Sequence, residues 1–524
     1  MRAQAKAGRQ TKPGIRRSAA QVAALATALT GLGAQPALAL EEVVLKLPLV
    51  QNTFRVRVSE LSSTAALMNG NSDLAELDRA TDGSIGRQLH DLLTKPLPID
   101  VSRVTEQAVG TPMLEQGLLM LSTLGTVEGS EQDLTGSKLN EAFMKASAAG
   151  PITLLSLMEA IPGERVTLDL GKLGLRLQRM VEQRDEAEKL VGSSSTAAPA
   201  PTTTDATALA GTSLAVQRKV LQLPVSHRPG TLLELTVVQP QSGGRGRLVL
   251  ISHGLWDSPA SFEGWAQLLA ANGYTVVLPR HPGSDQREQQ AMLTGQAPPP
   301  GHQELELRPR DISAVLDAVA SGQIDLGPGI QADRVVVIGH SWGATTSLQL
   351  AGMAASSREV QRCTNPDDPD RNLSWVLQCS WLQGKTITQL GDPRVVAVAA
   401  VSPPVSLLFP RGSSKDLGAR VLLVSGSRDW VVPPDPEAVK PMQVGVARGN
   451  RLVLAQGGDH FNLRPGQQAS GGVLGPLLLA WTDGAFNAGD GVRPGAQAPN
   501  LLPPTGWGQT GMTLVDVSDR LKQP

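Results

Sequence analysis

Ser341 is the residue in this chain best placed to act as a nucleophile. It sits in Gly339-His340-Ser341-Trp342-Gly343, a G-x-S-x-G pattern, directly after the β-branched run Val335–Ile338. A helix-forming run follows, with Leu348, Leu350, Ala351 and Ala354 spaced to pack on a sheet. Strand, sharp turn and helix in that order are what a nucleophile elbow requires. The corner is too tight for side chains beside the nucleophile, so glycines stand two positions to either side. The serine hydroxyl is then held exposed above a helix N-terminus. The alternative is a glycine-rich strand-to-helix turn around an ordinary serine.

A serine hydroxyl at neutral pH needs a base to take its proton, and the base needs an acid to orient it. In sheet proteins with this elbow the chain order is serine, then acid, then histidine. Of the seven histidines only His460 follows Ser341, in GGDHF just after the strand-like RLVLA. The acid is expected after the preceding strand, where VLLVSGSRDWVVPP places Asp429; Asp435 and Asp459 are the nearby alternatives and are expected to face solvent. The oxyanion formed by attack needs two backbone donors. Trp342 N–H, immediately after the serine, is one candidate. Leu255 N–H, in RLVLISHGLWDSPASF, is the other. His253 is read as shaping that loop and His340 as a neighbour of the serine. With Trp256 they are the candidate lining of the substrate pocket, and Trp342 and Trp256 are candidate walls of an acyl pocket.

These residues need a sheet to hold them. From about Val216 to Gly484 strand-like runs (218–224, 232–238, 247–252, 274–279, 334–338, 394–401, 420–425, 451–455) alternate with helical patterns at 261–271, 309–320 and 344–355. Such alternation implies an α/β domain with a mostly parallel, doubly wound sheet. The insertion 282–308, flanked by His281 and His302, and the Cys363–Cys379 segment follow the ends of this core and are candidates for lid and pocket rim. No metal-ligand spacing is recognisable, and no cofactor is expected.

The rest of the chain divides around that domain. At 524 residues it is too long for one ordinary domain. A formal net charge of −1 gives no electrostatic case for a nucleic-acid partner. Six basic residues precede the first acid, Glu41. An Ala/Leu-rich segment follows, then Ala37-Leu38-Ala39 as a cleavage site. This reads as a signal peptide (1–39) cleaved near Ala39 and an exported protein in the periplasm or outside the cell. Residues 41–190 read as a smaller, mainly helical domain opened by two short strands, VVLKLPL and FRVRV, with 164–170 as a further strand candidate. Its apolar run 117–125 reads as a packed helix, contact with a membrane surface being the alternative. A Ser/Thr/Ala/Pro-rich linker spans 191–212, the catalytic domain 213–486, and a Gly/Pro-rich tail 487–524, whose MTLVDVSDRL is a candidate short strand or helix. The two cysteines, Cys363 and Cys379, are compatible with one disulfide in an exported protein or with two separate thiols.

The blocks HGLWDSPASF, GYTVVLPRHPGS, RPRDISAVLDAV, GHSWGATTSLQLAG, DPRVVAVAAVSPP, SGSRDWVVPP and GGDHF follow one another as in α/β-hydrolases. Over roughly 216–484 the chain most resembles the group of predicted dienelactone hydrolases akin to platelet-activating-factor acetylhydrolases. True dienelactone hydrolases use a cysteine nucleophile, so Ser341 removes that activity. The acetylhydrolases resemble this chain in HGL and in an aromatic residue after the serine, which supports Leu255 and Trp342 as oxyanion donors. They usually carry a second glycine after the elbow, where Ala344 stands here. Residues 41–173 look like an uncharacterised N-terminal domain that accompanies such hydrolases. The expected activity is a serine esterase acting on small-molecule or lipid esters. Alternatives are a lipid-directed phospholipase or acetylhydrolase that uses 41–190 as an interface module, an acyltransferase, and a non-catalytic envelope binding protein on a hydrolase fold. The sequence is silent on oligomeric state.

Overall fold

The computed structural model describes residues 40–47, 53–97, 101–129, 133–192, 213–383, 389–415, 417–508 and 511–521. The expected signal peptide, and all of the expected linker except its first two residues, lie outside them.

Nine strands form the large sheet: β5 (Val216–Pro224), β6 (Leu232–Pro240), β7 (Arg247–Ser252), β8 (Thr275–Pro279), β9 (Gln331–His340), β10 (Val395–Val401), β11 (Arg420–Gly426), β12 (Arg451–Ala455) and β13 (Leu514–Asp516). Their order is β13-β12-β11-β10-β9-β7-β8-β6-β5. All neighbours from β8 through β12 run parallel, while β5, β6 and β13 are antiparallel additions at the edges. The central strands are apolar without interruption because both of their faces are covered. Along β9, Val335 and Val337 belong to the core on one face and Val336 and Ile338 to the core on the other. That is the period-two alternation of a strand put to use on both sides. This is an α/β-hydrolase fold.

Two helices bear directly on the site. The nucleophile helix, Trp342–Leu350, is buried along its whole length. The helix Glu304–Ala320 beside it carries Pro309 in its interior. A proline there removes the bond to the carbonyl four residues earlier. That carbonyl, of Leu305, instead accepts from Gln349 Nε2 at 3.1 Å, so the kink locks this helix to the nucleophile helix. Within the insertion 282–308, Gln286–Leu293 is a helix capped by Asp285, whose carboxylate accepts the Glu288 N–H at 3.0 Å.

The N-terminal part builds its own four-stranded sheet, β2 (Thr53–Arg57), β1 (Glu42–Lys46), β4 (Arg165–Asp169) and β3 (Gly125–Glu128), around a small core that includes Leu61, Leu67, Leu74 and Leu155. β3 departs from the sequence reading. Gly125 was expected to close an apolar helix, but the helix stops at Ser122 and the chain turns back to pair with β4. The helix Leu170–Gly192 then leads to the hydrolase part. Its Ala187 and Val191 sit in the hydrolase core, and Glu188 accepts from Ser427 Oγ at 2.7 Å. The helix Pro112–Ser122 packs on the helix Ser374–Leu382 of the hydrolase part, and Gln286–Leu293 on the helix Val101–Ala108. Both segments expected as lid or rim thus rest on the N-terminal unit. Among the described residues no helix is long and apolar enough to cross a membrane.

Cys363 and Cys379 are joined, with Cα atoms 5.6 Å apart, closing a loop with a sequence separation of 16. Loop-closure entropy for that length is worth about 3 kcal/mol. Replacing both cysteines by serine is expected to lower the urea midpoint of the hydrolase part, and reductant to do the same to the unaltered chain but not to the variant.

Candidate active site

The parallel strands bring three chemically useful side chains to one edge of the sheet, because equivalent strand ends share an edge. Ser341 follows β9, Asp429 comes three residues after β11, and His460 five residues after β12. Ser341 has φ 54 and ψ −122, a conformation L residues avoid, and its N–H donates to Val401 O at 2.8 Å. The flanking glycines are required by close approach. A Cβ on Gly343 would fall 2.0 Å from Ser252 O, and one on Gly339 2.1 Å from Gly343 O. The helix beginning at Trp342 leaves its first N–H groups without intrahelical acceptors, which suits Trp342 N–H to a developing negative charge.

His460 Nδ1 lies 2.9 Å from Asp429 Oδ2, and both side chains are buried. The other carboxylate oxygen accepts the N–H groups of Val431 at 3.0 Å and Val432 at 2.8 Å. These bonds leave Asp429 only one sensible direction in which to point. Neither competing acid takes this place: Asp435 pairs with Lys440 at 2.8 Å, and Asp459 accepts the N–H groups of Phe461 and Asn462 in its own turn. His340 Nε2 bonds His460 O at 2.9 Å, and the two rings are 4.9 Å apart. Burial first, then the neighbouring His460, hold the His340 imidazole well below its usual range.

The loop after β7 crosses the nucleophile closely: a Cβ on Gly254 would lie 3.3 Å from Ser341 Cβ. His253 fixes the peptide that carries Leu255 N–H. Its Nδ1 bonds Gly254 O at 2.8 Å, while its Nε2 accepts the His281 N–H at 3.0 Å. Because the peptide unit is planar and trans, fixing Gly254 C=O fixes Leu255 N–H in the opposite sense. Burial, with Arg308 and His281 adding to it, keeps His253 neutral, as that pair of bonds demands. Trp256 follows with φ 55, unusual for a bulky residue, and its N–H donates to Ser284 O at 2.8 Å. Asp257 pairs with Arg464 at 2.9 Å, tying this loop to the segment after His460.

The expected pocket lining is therefore redistributed. His253 and His340 are buried and committed to backbone partners, so they brace the site from behind. Trp342 is also fully buried, its ring 4.6 Å from Trp381, and belongs to the core. It was expected to wall the acyl pocket, but nothing of its ring reaches the surface. The exposed aromatics are Trp430 and Phe461, each 50% exposed, with ring centroids 6.5 Å apart beside Asp429 and His460. Next to them a groove of about 260 Å³ is lined by Leu177, Met180, Val181 and Arg184 of the helix Leu170–Gly192 and by Arg428, Asp429, Trp430 and Pro433. Sequence reasoning did not foresee that the N-terminal unit reaches this rim, nor the buried cluster of Ser252, His281, Arg308 and Asp311 beneath the loop after β7. The only sequence signal for the cluster is the charged RPRD run that opens a helix pattern. Among the described residues no group of three His, Cys, Asp or Glu side chains is arranged to hold a metal ion.

Residues 248–506 match the model of the alpha/beta hydrolase family. Residues 39–169 match a second model, described as alpha/beta hydrolase of unknown function (DUF1400). No curated protein matches the chain.

The buried histidines set a pH dependence. Burial lowers His281 from 6.5 to about 4, although Asp311 opposes the shift. Between those values the unfolded chain binds a proton that the folded chain refuses. Stability is therefore complete above pH 6.5 and falls as the pH drops toward 4, by roughly 3 kcal/mol from this group. His253 and His340, also lowered, act with the same sign. Urea midpoints should decline steadily from pH 7 to pH 4.5; a flat profile contradicts neutral burial of these rings.

Proposed function

We propose that this chain, which belongs to the alpha/beta hydrolase family, is an exported serine hydrolase that cleaves carboxylic esters through an acyl-enzyme. The observation that carries the reading is Ser341 on its strained corner, with the His460–Asp429 pair, 2.9 Å apart, delivered to the same sheet edge. Ser341 Oγ attacks the ester carbonyl while His460 Nε2 takes its proton. The oxyanion is held by the N–H groups of Leu255 and Trp342. Collapse of the tetrahedral intermediate expels the alcohol, which leaves with the proton from His460. A water deprotonated by His460 then releases the acid and regenerates Ser341. Asp429 keeps its negative charge throughout and accepts the Nδ1–H, favouring the imidazolium when it forms.

A lipid-directed variant of this chemistry has an observation of its own. Leu175 and Leu177 are 64% and 53% exposed on the helix Leu170–Gly192, and Leu173, Met180 and Val181 extend the apolar surface toward Trp430 and Phe461. Exposed apolar residues gathered at an active-site rim suit a substrate with a long acyl chain. In that reading the N-terminal unit presents the substrate rather than carrying out chemistry.

Hydrolysis of p-nitrophenyl esters from acetyl to palmitoyl, with the unaltered chain and Ser341→Ala in parallel, tests both readings. Ser341→Ala is expected to lose about 10⁴-fold or more in kcat, and full activity in that variant excludes the mechanism. Preference for long chains, lost on replacing Leu177 and Met180 by Ser, supports the lipid-directed reading; a preference for acetyl or butyryl that ignores those changes goes against it.

A further inference from the structure

Beneath the loop after β7 lies a polar cluster that the proposed chemistry leaves unused. Ser252 Oγ is 2.9 Å from His281 Nε2, and His281 Nδ1 is 2.8 Å from Asp311 Oδ2. The connectivity is that of a second serine–histidine–aspartate set. All three side chains are fully buried, however, so no ester can reach this serine. The cluster holds something in place instead. Asp311 also receives Arg228 Nε at 2.8 Å and His227 Nε2 at 2.7 Å, and Arg228 is gripped on its other edge by Glu304.

The remaining cation is Arg308. It stands between Glu304 and Asp311 on one helix, and it too is fully buried. Two guanidinium groups and two carboxylates thus share one buried site, so the charge is balanced without solvent. Burial lowers the Arg308 guanidinium to about 9, with Glu304 and Asp311 opposing the shift, so it stays charged at neutral pH. Its Nη2 donates to the carbonyl of His253 and lies 3.4 Å from Ser252 Oγ. Its guanidinium carbon is 4.8 Å from the centroid of the Trp342 ring. One side chain therefore touches both segments that supply the proposed oxyanion donors.

We propose that Arg308 is a positioning residue that registers the two halves of the oxyanion hole against each other. The inference rests on the serine-hydrolase reading above. The Arg308 bond to His253 C=O fixes that peptide plane, and the His253 ring fixes the next, the one that carries Leu255 N–H. The loop so fixed passes close to Ser341, a Cβ on Gly254 falling 3.3 Å from Ser341 Cβ. The cation–π contact fixes the residue that provides the second donor. Donors held in advance at the place where charge develops cost no reorganisation during reaction, so their loss falls on kcat.

The test uses the full chain with Arg308→Met and Arg308→Lys. It measures kcat and KM on the best p-nitrophenyl ester, counts competent sites with a fluorophosphonate, and follows thermal melting. Arg308→Met is expected to lower kcat per titrated site by roughly 10- to 100-fold, with KM within about threefold of the unaltered chain. Arg308→Lys keeps a cation but not the planar fork, and is expected to fall in between. The rate of phosphonylation should drop in parallel with kcat, since that adduct uses the same two donors. If Arg308→Met fails to fold, the lysine variant decides the matter alone, and an unchanged kcat per titrated site overturns the role. Melting changes without a change in kcat per titrated site mark the cluster as purely structural and overturn it too. An unaltered chain that neither cleaves esters nor labels Ser341 removes the hydrolase reading itself, and this role with it.

Discussion

The backbone at Ser341 is held at a positive φ that costs an L residue on the order of 1–3 kcal/mol, and the surrounding packing must over-determine it. Much of the molecule follows from that requirement. The corner has to be clamped from β10, through Ser341 N–H on Val401 O, crowded by the end of β7 so closely that Gly343 can carry no side chain, and folded on itself so tightly that a side chain on Gly339 would strike Gly343 O. The helix behind it is buried on every side, covered by both the sheet and the helix Glu304–Ala320, so its Thr345, Thr346, Ser347 and Gln349 each donate to a backbone carbonyl. A strained residue at the end of a parallel strand is a place where stability is given up for geometry, and the same edge of the sheet carries the buried His460–Asp429 pair.

The features legible in the sequence share one property: they leave a local mark. β9, β10 and β11 are unbroken apolar runs, and Ser341, Asp429 and His460 each come within five residues of such a run's end. Their order along the chain is what singled them out among the acids and histidines. The features that escaped are long-range or lack contrast. Arg228 meets Glu304 and Asp311 across 76 and 83 positions of sequence, and no periodicity announces such a pair. The helix Ser374–Leu382 is buried nearly all round, so it shows no amphipathic stripe. Trp342 was read as a pocket wall because it follows the nucleophile, but a buried helix start leaves its ring no route to solvent. β13, within the MTLVDVSDRL read as a short strand or helix, is a three-residue antiparallel strand that closes the sheet from the far end of the chain, and its pairing with β12 is what left no local mark.

The two units are joined by more than their shared chain. Ala187 and Val191 complete the hydrolase core, and Arg520 Nη1 reaches back to Leu190 O at 2.9 Å. The C-terminal end of the helix Leu170–Gly192 is thus anchored, while its earlier turns expose leucines, of which Leu177 shares a groove with Asp429 and Trp430.

The central claim is that Ser341 carries the acyl group. Stopped-flow mixing with an excess of a p-nitrophenyl ester, followed by acid quench and peptide mapping, addresses it directly. A burst of p-nitrophenol close to one equivalent per site, with the acyl mass on the peptide containing Ser341, is the predicted result. Ester turnover with no burst and no adduct in the quenched sample, or an adduct mapped to another residue, would contradict it.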